Sequence, residues 1–398
     1  MRKKRLKNGL TLIQVPQNSK SITIMVCVKV GSNNETTKQA GLSHFLEHMI
    51  FEGTKKRSAR EIAESIEKVG GEFNAMTSNE RTCFYVKLPH EHAELGAEIL
   101  HDIITNSTFE LKAFDKEKKV VLEEINMVND QPLHYQWILF EKSLFTKIPT
   151  KDPIYGNSKA VKASTKQMMK LYHDKYYVPN NMIVTTVGNH KKLKTIEKRF
   201  SQLKRKPVKA LKIIKEPTQK KEKTVTENRK NVQSYAIIGY KTVPRAHKDS
   251  YALDVIKAIL YKGLSGKVTE EIRLKRGLAY SAGAHHESMK DYGFFSIFFN
   301  TNKPSLNKCK ELGLAVIANI GNTTQKELKE AKTFIAGHSQ LKSEDPIRLA
   351  EDLVFWESVK DAKKANEYLK EIKKVDLKRL KSVATKYLNQ NYTMIVVN

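Results

Sequence analysis

The chain has 398 residues, which is long enough for two or more domains of ordinary size. Hydrophobic residues make up 40% of it, so there is enough apolar surface for packed cores, and global disorder is excluded. A formal net charge of +28 would allow a surface that attracts nucleic acid, anionic lipid or acidic peptides. The surplus is nearly all lysine, however, and no aromatic-interleaved basic stripe accompanies it, so a lysine-biased composition explains the charge better.

The beginning of the chain and its cysteines predict a cytoplasmic protein. Residues 1–15 are basic but have no apolar core segment and no small-residue cleavage site, so we expect no signal peptide. Apolar runs fall far short of the ~18–20 residues that cross a bilayer. Cys27, Cys83 and Cys309 lie far apart without a CxxC pair, and we expect them to be reduced packing residues.

The first half of the chain alternates strand-like and helix-like segments. Two strands joined by a polar turn are predicted within 8–30, and helices follow at about 40–52 and 59–69. The pair Gly70-Gly71 is a stop signal for the second helix. The remaining predicted elements are the strands EFNAM and RTCFYVKLP, helices at about 91–106 and 110–130, a loop with Pro153 and Gly156, a helix at 164–176, and the strand NMIVTTVGN.

A lysine-dense segment with two prolines, from Lys204 to Lys223, is typical of a solvated linker. Beyond it, the order of elements repeats, because a charged helix ending at a glycine precedes a strand pair in each half. EFNAM and FYVKLP of the first half correspond to LAYSAG and FFSIFF of the second. We therefore expect two copies of one α+β unit, with a first domain at 1–205, a basic linker at 206–224 and a second domain at 225–398.

The predicted helix at 40–52 has two different faces. Its apolar residues follow the spacing i, i+3, i+4, i+7, and they are Leu42, Phe45, Leu46 and Met49. His44, Glu47 and His48 lie on the opposite face, about 200° away. Histidines four residues apart are neighbours on a helix and can bind one zinc ion together, in the reverse order of the His-Glu-x-x-His motif. The alternative is a pair of surface or hydrogen-bonded core histidines, and the complete apolar face behind them argues against it.

A catalytic zinc site needs a third protein ligand and an open position for water. The acidic helix around 115–130 offers several carboxylates. Glu123 and Glu124 point about 100° apart, so at most one of them faces the site. Glu117 and Glu124 share a half-apolar face, which favours Glu124 over Glu123. The residues alone still leave ordinary solvated acids as an equal alternative.

These motifs resemble the pitrilysin/insulinase family of inverted zincins, and especially its short members related to the mitochondrial processing peptidase. The resemblance covers essentially the whole chain and rests on several independent motifs in the right order. In chain order these are KNGLTLIQVP, GSNNETTKQAGLSHFLEHMIFEGT, GGEFNAMTSNERTCFYVKLP, KEKKVVLEEINM, YYVPNNMIVTTVGN and KVTEEIRLKRGLAYSAG. Chance similarity at one motif does not explain such a match.

The resemblance implies a role for residues that the chemistry leaves open. Glu124 matches the third zinc ligand of the family, and Glu117 matches an acid that supports the site without binding metal. Asn74 and Ala75 match an edge-strand segment along which the substrate backbone adds as a further strand.

Two residues of the second half also match family positions. Arg273 and Tyr280 correspond to a pair that reaches over the substrate, with Tyr280 donating toward the developing oxyanion. Without the resemblance, an arginine on a helix surface and a tyrosine on a strand would be the simpler interpretation.

The resemblance also implies a fold and an activity. The expected fold is α+β, with two homologous α/β-sandwich units, each an antiparallel-rich sheet covered by helices, which together form half of a clamshell chamber. The expected activity is that of a zinc endopeptidase with one Zn²⁺ per chain, which hydrolyses enclosed peptides or unfolded segments after Glu47 activates a zinc-bound water.

Long family members close four such units into a chamber, whereas this chain has two. We therefore expect a homodimer, with a heterodimer containing a metal-less partner as the alternative. Two other functions compete with peptidase activity: that of a non-catalytic structural subunit of the same fold, and nucleic-acid binding through the basic surface. The intact metal motif argues against the first, and the second rests on charge alone.

Overall fold

A computed structural model describes residues 1–189, 193–209 and 213–398 of the chain. The strands, in chain order, are β1 (Arg2–Arg5), β2 (Thr11–Pro16), β3 (Ser21–Val28), β4 (Glu72–Thr77), β5 (Thr82–Pro89), β6 (Met182–Gly188), β7 (Lys223–Glu227), β8 (Ser234–Lys241), β9 (Ala279–Ser288), β10 (Gly293–Thr301) and β11 (Thr393–Val397). The described residues of this fold confirm the expectation of two sheets, both rich in antiparallel pairs, with helices packed on them.

The helices alternate with these strands and then dominate the last hundred residues. They are α1 (Leu42–Ile50), α2 (Ala59–Glu67), α3 (Ala93–Asn106), α4 (Leu111–Asp130), α5 (Pro132–Leu144), α6 (Ser158–Ala163), α7 (Lys166–Tyr176), α8 (Leu193–Ser201), α9 (Asp249–Leu260), α10 (Lys267–Thr269), α11 (Leu306–Ala318), α12 (Gln325–Glu344), α13 (Pro346–Val359), α14 (Lys364–Lys374) and α15 (Leu377–Tyr387). A π-helical turn, Glu270–Leu274, continues α10.

The chain separates into two compact units, each built from three segments. The first unit consists of Met1–Met127, Asp152–Lys212 and Lys342–Ser358, and the second consists of Val128–Lys151, Ile213–Leu341 and Val359–Asn398. Part of the predicted linker, residues 210–212, lies outside the described residues. In the described part of that linker, no helix or strand occurs before β7 begins at Lys223.

Apart from β1, which has no counterpart among the described strands of the second unit, the two sheets have the same topology. Among the described residues, the first unit has strands in the order β1-β2-β6-β3-β5-β4, and the second has the order β7-β11-β8-β10-β9. In each sheet one pair is parallel, β2 with β6 and β7 with β11, and the strands that follow it in the order are antiparallel. The pair β4–β5 therefore corresponds to β9–β10, as the repeat in the sequence predicts.

The first core lies between its sheet and the helices that cover one face. Side chains that alternate along β3 and β5, such as Val26 and Phe84, point to this face and are fully buried. Helix α1 contributes Phe45, Leu46 and Met49, all with 0% exposure. Burying side chains of this size stabilises the fold by about 1.5–3 kcal/mol each. Because this face of α1 packs into the core, the opposite face of the helix points away from the core.

The second core has the same layout, with one addition that the sequence did not predict. Helix α5 packs on β8 and β11, and its Phe140 is fully buried beside Ile237 and Ile395. A buried ion-pair network supports the other side of this unit, where Asp254 binds the guanidinium of Arg245 at 2.6 Å and His286 Nδ1 at 2.7 Å. Burial opposes the charged form of Asp254, but these partners lower its pKa well below the ordinary value.

Candidate metal centre

Helix α1 begins without a side-chain cap of its own. Gly41, at its N-cap position, has φ +90° and no side chain that could accept hydrogen bonds from the first amides of the helix. The carboxylate of Glu35 accepts hydrogen bonds there instead, from Gly41 N at 2.8 Å and from Ser43 N at 2.6 Å. The hydroxyl of Ser43 lies 2.8 Å from that of Tyr172 on α7. These contacts satisfy amide groups that a helix start leaves unpaired, and they fix the start of α1 in place.

The side chains of His44, His48 and Glu124 come together above the polar face of α1. Their potential ligand atoms all lie within 4.8 Å of one another. Glu124 Oε2 is 3.7 Å from His44 Nε2 and 3.5 Å from His48 Nε2. Among the described residues, this is the one group of three or more histidine, cysteine or acidic side chains with such spacing.

The electrostatics of this group fit a bound zinc ion. Burial, and then the repulsion that would arise if the His44 and His48 rings were both protonated, lower the pKa of His44 to about 3, so its ring is neutral and keeps a lone pair for a metal. Glu124 Oε2 is buried and has no hydrogen-bond partner among the described residues. An unpaired buried carboxylate oxygen is costly unless a cation neutralises it. Two imidazoles and one carboxylate are a common donor set of catalytic zinc, with a further position open.

Glu117 lies beside His48, and its role as a supporting acid stays a prediction. Its Oε2 is 3.2 Å from His48 Nδ1, and its Oε1 is 3.1 Å from Lys116 Nζ. A carboxylate on Nδ1 fixes the ring tautomer, so that Nε2 carries the lone pair and faces the side of Glu124.

Glu47 lies on the same face of α1, and its carboxylate accepts a hydrogen bond from the hydroxyl of Thr77 on β4. Burial raises the pKa of Glu47 above its ordinary value, and the Thr77 bond opposes that shift. A carboxylate with a raised pKa is a stronger base than a solvated one. The sequence did not predict this contact of Thr77, because no local pattern connects a strand residue to a helix residue 30 positions earlier.

Strand β4, which contains Asn74 and Ala75, is the free edge of its sheet. Just beyond the strand pair, the amide of Ser78 donates a hydrogen bond to Arg81 O. In an antiparallel pair, residues that are hydrogen-bonded to the neighbouring strand alternate with residues that are not, so Ala75, three positions before Ser78, is not hydrogen-bonded to β5. The N–H and C=O of Ala75 therefore point away from β5 to the free edge. The side-chain oxygen of Asn74 accepts a hydrogen bond from the amide of Ala75 at 2.8 Å. This geometry suits addition of a strand, and the role of both residues in substrate binding stays a prediction.

Arg273 and Tyr280 lie in the second unit. Arg273 is part of the π-helical turn, and its guanidinium carbon is 5.5 Å from the centroid of the Tyr280 ring. Tyr280 is 79% exposed. An exposed cation–π pair is available to a ligand, and the expected role of these two residues also stays a prediction.

Tyr155, which the sequence did not single out, lies beside the candidate ligand His44. Its ring centroid is 4.8 Å from that of His44, with an angle of 80° between the planes. Burial raises the pKa of Tyr155, and the negative charges of Glu124 and Glu47 add to the effect. The residue stands in a loop between α5 and α6, where hydrophobic periodicity carries no signal.

The chain is similar to known peptidases over most of its length. Residues 11–150 match the family described as insulinase (peptidase family M16), and residues 164–335 match the domain described as the peptidase M16 inactive domain. An uncharacterized zinc protease of Bacillus subtilis is 30% identical over 98% of this chain and 97% of its own length. An uncharacterized zinc protease of Rickettsia felis is 32% identical over 88% of this chain and 85% of its own length.

The fold is also similar to that of solved structures. A protease from Helicobacter pylori superimposes with a TM-score of 0.94 at 26% identity, covering 100% of this chain and 99% of that one. The peptidase M16 inactive domain from Pseudomonas fluorescens shares the fold, with a TM-score of 0.90 at 18% identity over 100% of this chain and 97% of that one. In the part of the chain that the structure describes, no helix has the length and apolar character needed to span a bilayer.

Proposed function

Because the chain belongs to the insulinase family of peptidases (M16), we propose that it is a zinc-dependent endopeptidase acting on peptides or unfolded segments. The observation that carries this proposal is the convergence of His44, His48 and Glu124 beside Glu47. Three ligands and a nearby carboxylate base are what hydrolysis of an amide by an activated water requires.

His44, His48 and Glu124 would hold one zinc ion, and Glu117 would keep His48 in the required tautomer. When bound, zinc acts as a Lewis acid that polarises the scissile carbonyl and lowers the pKa of water toward ~7. The steps that move protons belong to Glu47.

Glu47 takes a proton from the attacking water and later returns it to the leaving amine. Its burial favours this cycle, because a raised pKa allows the carboxyl group to hold the proton between the two steps. The Thr77 hydroxyl keeps one Glu47 oxygen in place and leaves the other free to face the water. We assign oxyanion stabilisation to Tyr280, with Arg273 beside it, on family resemblance.

Substrate would add as a strand to β4, at the free edge to which the N–H and C=O of Ala75 point, and would replace the Asn74 side chain as the partner of the Ala75 amide. We further propose that two copies of the chain assemble to enclose the peptide, with a metal-less partner as the alternative. Enclosure would restrict substrates to peptides and unfolded segments.

The test is cleavage of a quenched, unstructured peptide pool by the zinc-loaded parent and by its Glu47→Gln variant. We expect the variant to bind zinc like the parent and to cut at least 100-fold more slowly, since positioned general bases contribute about 10²–10⁴-fold. Glu123→Gln is the matched control, because Glu123 is an exposed acid next to the proposed ligand Glu124.

Each result separates the candidate functions. Cleavage by the parent and by Glu123→Gln, but not by Glu47→Gln, supports the proposal. A parent that binds zinc and forms dimers without cutting any peptide would point to the structural subunit. Duplex or single-stranded nucleic acid that binds tightly, with a steep dependence on salt, would favour the third alternative.

A further inference from the structure

The two histidines of the metal centre are supported in different ways. His48 has Glu117 at its Nδ1, which fixes the rotation of that ring. His44 Nδ1 is buried and has no hydrogen-bond partner among the described residues. A ligating histidine normally has its second nitrogen bonded to a partner that holds the ring in orientation. Something other than a hydrogen bond must therefore orient the ring of His44.

The ring of Tyr155 is in the position to do so. Its centroid is 4.8 Å from that of His44, and the two planes are 80° apart. This is the edge-to-face arrangement that aromatic rings prefer, and it is lost if either ring turns. The Tyr155 ring also packs against the first core, so it is itself held from behind.

The backbone around Tyr155 is tied directly to the start of α1. Gly156 has φ +73°, and a Cβ atom there would lie 2.2 Å from the carbonyl oxygen of Ala40. Gly41 has φ +90°, and a Cβ atom there would lie 2.4 Å from the carbonyl oxygen of Tyr155. Only glycine permits both the positive φ and this close approach. The two glycines thus bring the loop against the helix immediately before His44.

A turn completes the attachment, because the amide of Gly156 donates to Pro153 O at 2.8 Å. On the other side, Asn157 begins α6 by accepting the amide of Ala160 at 2.9 Å. The position of Tyr155 is consequently fixed by backbone contacts on both sides and not by its own side chain alone.

We propose that Tyr155 is a positioning residue of the metal centre, whose ring holds the imidazole of His44 in the orientation that presents Nε2 to the metal. Tyr155 does for His44 what Glu117 does for His48, by ring packing in place of a hydrogen bond. This inference rests on the proposed function only in that His44 serves as a zinc ligand.

The experiment compares Tyr155→Phe, which keeps the ring, with Tyr155→Met, which keeps much of the volume without it. Zinc affinity is measured by competition with a chromophoric chelator, and the Co²⁺-loaded proteins are compared by visible absorption, which reports coordination geometry. Tyr85→Met is the matched control, because Tyr85 is a partly buried tyrosine of the same unit on β5. Thermal melting of every metal-free variant checks that each is folded.

We expect Tyr155→Met to weaken zinc binding by 10- to 100-fold, the range typical for loss of a group that orients a ligand. Its Co²⁺ spectrum should shift, while Tyr155→Phe and Tyr85→Met keep the affinity within about threefold and the parent spectrum. A merely structural role would lower the melting temperature and leave the spectrum unchanged. If Tyr155→Met does not fold, Tyr155→Leu takes its place in the same comparison.

Three results would overturn the inference. These are parent-like zinc affinity and spectrum in Tyr155→Met, an equal loss in Tyr155→Phe, and an equal loss in Tyr85→Met. The outcome is separable from that of the proposed function. A parent that binds zinc in a Tyr155-dependent way but cuts no peptide would refute the peptidase and leave this inference standing.

Discussion

The contact between Glu117 and His48 allows a quantitative test of the proposed metal centre. Glu117 Oε2 lies 3.2 Å from His48 Nδ1, with side chains that are 12% and 19% exposed. In Glu117→Gln the shape is nearly unchanged and the amide oxygen can still accept from Nδ1. What the change removes is the negative charge, which makes the imidazole a stronger ligand.

The expected size of the effect follows from this geometry. Loss of such a partner typically weakens metal binding by 10- to 100-fold, or about 1.4–2.7 kcal/mol. The second contact of Glu117, at 3.1 Å from Lys116 Nζ, adds little, because Lys116 is 59% exposed and such pairs contribute about 0–1 kcal/mol. Nearly all of the change should therefore appear as reduced zinc affinity and not as reduced stability of the metal-free protein.

The assay is chelator competition for zinc at neutral pH, together with urea unfolding of the metal-free protein. Glu123→Gln is the control, since it removes the same charge from an exposed position on the same helix. Zinc affinity of Glu117→Gln within about threefold of the parent, or an equal loss of affinity in Glu123→Gln, would refute this role of Glu117.

Three further predictions concern stability and are each measured by denaturant unfolding of the metal-free protein. Burial opposes the charged form of Glu216, but Lys241 at 2.7 Å and three backbone amides outweigh it and lower the pKa of Glu216 to about 2 from 4.5. This stabilisation is present above about pH 4.5 and is lost as the pH falls through 2. Glu216→Gln should therefore lower the free energy of unfolding by about 1.5–3 kcal/mol at pH 7 and by nearly nothing at pH 2. A loss of stability that does not depend on pH would contradict this role of Glu216. Phe45→Ala leaves a cavity at a fully buried position of α1 and should lower the free energy of unfolding by about 3–5 kcal/mol. A loss below about 1 kcal/mol would show that the packing of this face of α1 contributes little to stability. Gly156→Ala should destabilise the protein by more than about 1 kcal/mol, because residue 156 has φ +73° and its Cβ would meet the carbonyl of Ala40. Gly70→Ala should cost less, because Gly70 has nearly the same φ, +71°, but open space around it.

The sequence determined those parts of the molecule that depend on neighbours along the chain. The spacing in residues 40–52 predicted a helix with an apolar face and a face bearing His44, Glu47 and His48, and α1 has both. Such faces follow from the helical repeat alone, and an apolar face must be buried wherever the chain goes. The repeat of a charged helix, a glycine and a strand pair likewise predicted two copies of one unit, and each sheet has the corresponding strand pair at one edge, β4–β5 in the first and β9–β10 in the second.

Residues far apart in the chain were brought together by the tertiary structure alone. Periodicity placed Glu117 and Glu124 on one face of α4 and favoured Glu124 over Glu123, but it could not bring that face to α1. Family resemblance assigned the role of ligand to Glu124 and that of supporting acid to Glu117. Helix α5 belongs to the second unit because its buried side chains fit β8 and β11, which follow it by about a hundred residues or more. Thr77 and Tyr155 reach the metal centre from an edge strand and a loop. The spacing of hydrophobic residues predicts the position of neither side chain, because each is placed by the path of the folded backbone and not by its neighbours in the sequence.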